Sequence, residues 1–123
     1  MTNTLWVGLG GFLGASSRYL LTVAATRLLG AGFPYGTLIA NVSGSLLLGM
    51  LVGAMHERSG AGILHPFLGV GLLGGFTTFS TFSVDTLMLA GRGSPGLALA
   101  NVAISMTLAL AAAMAGLTLG RNL

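Results

Sequence analysis

No cysteine occurs in the 123 residues, which excludes disulfides, thiolate metal sites and thiol catalysis. Charge is nearly as scarce, since Asp, Glu, Lys and Arg together make up 6% of the chain and every basic residue among them is an arginine. A water-facing surface ordinarily needs about a quarter of its residues charged. The net charge of +3 comes from isolated arginines and not from a run. Phosphate binding needs clustered cations on an accessible face, so nucleic acid is not an expected partner. Arginines placed at membrane edges account for the basic balance. His56 and His65 stand near one loop with no Ser-His-Asp set and no metal-ligand cluster around them, and catalysis is not expected.

What the chain does have is apolar length: it is 54% hydrophobic, with a mean hydropathy of +0.92. Its charges fall at positions 18, 27, 57, 58, 85, 92 and 121, leaving uncharged runs over 28–56, 59–84 and 93–120. Each run holds a span of roughly 20 apolar residues, the length that crosses a bilayer core. With the N-terminal run up to Arg18, the pattern predicts an all-α integral membrane protein, a single domain over 1–123. Its four transmembrane helices are expected at about 4–25, 35–55, 64–90 and 96–119. Pro34, Pro66 and Pro95 stand near the expected helix starts, where a missing N–H costs least. The first span lacks the basic start of a signal peptide, and Arg18 interrupts it, so it is read as a mature helix.

Four spans place Arg58 and Arg121 on one side of the membrane and Arg27 and Arg92 on the other, with Arg18 inside the first span. Positive charge sets orientation, and a tie predicts either two insertion orientations, pairing as an antiparallel homodimer, or simply too few charges to decide. The 21 glycines point to close helix approach, which lipid-embedded packing requires. Gly10 and Gly14, Gly49 and Gly53, and Gly71 and Gly75 each form a GxxxG spacing in a different span.

Polar groups in hydrocarbon are costly unless satisfied, so those that persist need a reason. They are Arg18, Thr37 with Asn41, a hydroxyl cluster in GGFTTFSTFS at 74–83, Asp85, and Asn101 with Ser105. The pairs 37/41 and 101/105 each share a helical face. Lone hydroxyls hide by bonding the carbonyl one turn back. Asparagine hides less easily, and Asn41 and Asn101 either glue helices together or line a path. Gly74 and Gly75 weaken the third helix at mid-membrane, and a break there frees carbonyls for water or a cation. Phe79 and Phe82 share a face, and aromatic edges are electropositive. Amide and hydroxyl donors with ring edges, and no central cation, suit a small anion that must bind weakly enough to leave.

These motifs, GGFLGASSRY at 10–19, GTLIANVSG at 36–44, GGFTTFSTFS at 74–83 and a polar-striped fourth span, resemble the Fluc (CrcB) family of bacterial fluoride channels over nearly the whole chain. The resemblance implies a fluoride-selective channel in the bacterial inner membrane, built as an antiparallel, dual-topology homodimer. Two pores would let fluoride leave the cell passively and so protect it from fluoride toxicity, and a structural Na+ would sit at the dimer centre. By motif position, Phe79 and Phe82 resemble the pore phenylalanines, Asn41 the pore asparagine with Thr37 beside its path, and Ser80 and Thr81 neighbouring hydroxyls. The sodium ligands would be the backbone carbonyls of Gly74 and Thr77, and Arg18 matches a structural arginine. The fourth-span track reads Asn101, Ser105 and then Ala109, which cannot donate. Asp85 stands where the family usually has an acid and is read here as solvated near the membrane edge.

Two other readings compete. A small multidrug-resistance-type proton exporter needs a carboxylate in its first span, where this chain has Arg18 and no acid. A structural membrane subunit would have featureless apolar spans, which Asn41, Asn101 and the hydroxyl cluster are not.

Overall fold

The computed structural model describes residues 1–56 and 62–123. Helix α1 runs Thr2–Leu29 and ends where Gly30, at φ 87°, turns the chain while its N–H still bonds Thr26 O at 3.0 Å. Only glycine adopts that backbone without strain. Pro34 then precedes α2, Tyr35–Met55. The third span opens as a π-helical segment, His65–Leu73, with Pro66 in its first turn, and continues as one α-turn, Gly74–Phe76. After an extended step at Thr77 and Thr78 it resumes as α3, Phe79–Gly91. Pro95 opens α4, Pro95–Arg121. Among the described residues every regular element is helical. All three prolines sit at helix starts, as their missing N–H predicts.

Among the described residues three segments are long and apolar enough to cross a membrane: Tyr35–Met55, His65–Gly91 and Pro95–Arg121. The four expected spans therefore become three by length and composition. At 28 residues α1 is long enough, but Ser16, Ser17, Arg18 and its glycines dilute its hydropathy. Arg58, which entered the charge balance, lies outside the described residues.

Two parallel pairs of helices make the core, each closed by glycines. Gly10 and Gly14 of α1 meet Gly71 and Gly75: a Cβ on Gly71 would stand 2.7 Å from Val7 O, and one on Gly75 2.9 Å from Gly11 O. Gly49 and Gly53 of α2 meet Gly116 and Gly120 of α4 in the same way, with a Cβ at either α2 position 2.5 Å from an α4 carbonyl. Backbones approach this closely only where side chains are absent. In both pairs the contacts rise together in sequence number, so the paired helices run parallel. The 116/120 spacing is the matching half of a pair whose other half, 49/53, was evident in the sequence.

Candidate functional site: a polar path around the break in the third span

The break falls at Thr77 and Thr78, one turn beyond the glycines that the sequence singled out. Gly74 and Gly75 stay helical, because Gly75 is needed where the span touches α1. Thr77 (φ −85°, ψ 158°) and Thr78 (φ −156°, ψ 121°) are extended. What ends the helix is Asn41: its Oδ1 accepts the Thr78 N–H at 2.7 Å and its Nδ2 donates to Thr78 O at 2.9 Å. The carboxamide thus takes both polar groups of one residue and replaces bonds that a continuous helix would make. Thr78 then caps α3, its Oγ1 accepting the Thr81 N–H at 3.2 Å. Arg18 Nε donates to Gly75 O at 3.2 Å, tying α1 to the turn before the break.

Two clefts flank this point. The inner one, about 240 Å3, is lined by Asn41, Ser45, Thr77, Thr78, Phe79, Phe82 and Ser105, with Leu48, Met106 and Ala109. No charged side chain is among these. The outer one, about 320 Å3, gathers Thr22, Thr26, Thr37, Thr81, Asp85 and Arg92 under the aromatic rings of Phe33 and Tyr35. The Thr78 hydroxyl, donating to Thr81 Oγ1 at 3.1 Å, joins a residue of one cleft to a residue of the other. Polar side chains thus occur in both clefts, and the Thr78–Thr81 bond lies between them.

Most residues expected from the sequence line one cleft or the other, in several different roles. Phe79 and Phe82 form a tilted pair, ring centroids 5.6 Å apart at 43°. Phe82 is buried at 8% exposure, whereas Phe79, at 73%, points out of the chain. Thr37 belongs to the outer cleft and donates to Asp85 Oδ2 at 2.8 Å. That bond makes Asp85 a half-buried member of the outer cleft and not merely a solvated edge residue. Ser80 is exposed and shares a hydrogen bond with the Thr78 hydroxyl at 3.2 Å.

Asn101 lines neither cleft. Almost wholly buried at 1% exposure, it donates to Thr86 Oγ1 at 2.9 Å and accepts from Ser105 at 3.2 Å, while Thr86 donates to Phe82 O at 2.8 Å. It is interhelical glue, and through Thr86 it supports the backbone that carries Phe82. The sequence reading passed over Ser45 and Thr86, and took Thr78 only as one of the hydroxyl cluster at 74–83. For Ser45 a signal existed, since it stands four residues after Asn41 and so on the same face; nothing in the sequence marked Thr86.

Bundled apolar helices around a charge-free cleft that holds a few polar side chains define the class of helical membrane proteins. The chain belongs to the family described as CrcB-like protein, Camphor Resistance (CrcB), whose model matches residues 5–117. A relative from Cereibacter sphaeroides, 50% identical over 122 residues and covering 99% of this chain and 97% of its own, is named fluoride-specific ion channel FluC. The same name is carried by relatives from Agrobacterium fabrum, at 47% identity over 100% of this chain and 99% of its own, and from Clostridium perfringens, at 42% over 97% and 94%.

Proposed function

We propose that the protein is a fluoride-selective channel that lets fluoride leave the cell passively across the bacterial inner membrane, protecting against fluoride toxicity. It is a channel and not an enzyme, as its relatives' names are those of channels. The inner cleft carries this reading: the Asn41 amide and the Ser45 hydroxyl share it with the rings of Phe79 and Phe82, and no fixed charge is there to trap an anion. The outer cleft, with Arg92 at its rim, serves as the mouth.

In this reading the working unit is a single four-helix domain over 1–123, paired with an oppositely oriented copy, with two pores per pair. α1 would complete the four spans, since it packs in register along the third through Gly10 and Gly14. The outward-facing Phe79 ring and the open inner cleft would be closed by the second copy.

A structural Na+ between the copies is part of the proposal. The carbonyls of Gly74 and Thr77 accept no hydrogen bond among the described residues, Thr78 N–H having turned to Asn41. Oxygens of that kind suit a hard cation, two from each copy giving four. The ion would hold the two breaks together, while this chain's own residues line the anion path.

Passive efflux from liposomes tests the function. Fast fluoride loss with little chloride loss is expected from the purified protein, and release of neither ion by the folded protein in sodium would overturn the channel reading.

A further inference from the structure

Four hydroxyl side chains line the inner cleft: Ser45, Thr77, Thr78 and Ser105. Three have given their proton away. Thr77 donates to Leu73 O at 3.1 Å, Thr78 to Thr81 Oγ1 at 3.1 Å, and Ser105 to Asn101 Oδ1 at 3.2 Å. Ser45 alone among them makes no hydrogen bond within the described residues. Elsewhere in these helices Thr22, Ser43, Ser83 and Thr86 all turn back to the carbonyl four residues before. No buried side-chain oxygen among the described residues lacks a partner, so the unpartnered Ser45 Oγ keeps accessible surface, and Ser45 is part of the cleft lining.

Its placement suits a ligand. Ser45 stands one turn beyond Asn41 on α2, so the second, unused N–H of the Asn41 amide and the free hydroxyl are stacked along one wall. Phe79 and Phe82 belong to the same cleft, and so does α4 through Ser105, Met106 and Ala109. The stripe on α4 that begins at Asn101 and Ser105 reaches Ala109, which has no donor, whereas Ser45 on α2 brings an uncommitted hydroxyl to the same cleft.

Resting on the channel reading, we propose that the Ser45 hydroxyl donates directly to fluoride in the inner cleft, in the place where α4 presents Ala109. A hydrogen bond to an anion is among the stronger kinds, and a donor already spent on the protein must first break its own bond. Ser45 has none to break.

Fluoride efflux from liposomes reconstituted with the full-length protein, read with a fluoride electrode, tests this on the parent, Ser45→Ala, the double variant Ser45→Ala with Ala109→Ser, and Phe82→Ile. Size-exclusion elution reports folding of each. Ser45→Ala is expected to slow efflux about tenfold or more, the effect of losing one hydrogen bond to a charged group. The double variant, with a hydroxyl returned from the opposite wall, is expected to regain much of the parent rate. If Ser45→Ala conducts like the parent while Phe82→Ile does not, the role of Ser45 is overturned and the channel reading stands. Slowed efflux that Ala109→Ser fails to restore in a folded double variant would assign Ser45 to packing, also overturning the proposal. A silent parent would overturn the channel reading itself.

Discussion

At the scale of single residues, Asn41 has the most constrained position on the path. Its Oδ1 and Nδ2 both bind the Thr78 backbone. Asn41→Asp would replace the donor facing Thr78 O with a second acceptor and leave that carbonyl opposed, a loss of about 1–3 kcal/mol for a buried polar group stripped of its partner. Fluoride efflux at neutral pH is expected to stop and thermal unfolding to fall; normal flux in the reconstituted variant would remove Asn41 from the path. Phe82 is a different case, since its ring is buried and its backbone is held through Thr86 and Asn101. Phe82→Ile keeps most of the volume and loses the electropositive edge. Efflux is expected to drop sharply while the protein still elutes as a folded species, and undiminished flux would show that the edge is not needed. That Asn41 is costly in a membrane was legible from its chemistry. Which backbone group it would capture was not, because residues 41 and 78 meet only through folding.

At the scale of elements, the glycine pairs decide which helices touch. A Cβ on Gly116 would run into Leu46 O, while one on Gly96 would meet nothing within 4 Å. Gly116→Ala is therefore expected to cost roughly 1–3 kcal/mol, as overpacking a tight contact does. Gly96→Ala should leave stability within about 0.5 kcal/mol. Thermal unfolding in detergent compares the two, and equal stabilities would contradict the α2–α4 contact. The GxxxG spacings were visible along the chain, but a spacing does not name its partner. The break shows the same limit from another side. Two glycines marked the weakest point of the third helix by propensity, yet Gly75 is held helical against α1, and Asn41 opens the helix one turn later.

For the whole molecule, the lack of cysteine makes insertion directly measurable. In sealed vesicles, single-cysteine variants Thr2→Cys and Ala31→Cys, at opposite ends of α1, are each expected to label from both faces if copies insert in both orientations. Labelling of each from one face only would rule out the antiparallel pair. Replacing sodium with a large organic cation is expected to weaken that pair and slow efflux severalfold, and identical efflux with and without sodium would count against a cation on the Gly74 and Thr77 carbonyls.

Apolar run length, prolines at the helix starts and the rarity of charge determined the helices and their membrane setting, because these are local properties that hydrocarbon leaves little freedom to alter. The sequence also marked Asn41 as costly in lipid, and Phe79 and Phe82 as rings sharing one helical face. Which glycine pair closes on which, where the third span opens, that Asn101 clamps helices instead of facing the path, and that Ser45 keeps a free hydroxyl were decided by tertiary structure. Each of these depends on groups distant in sequence competing for the same hydrogen bond or the same few ångströms of space.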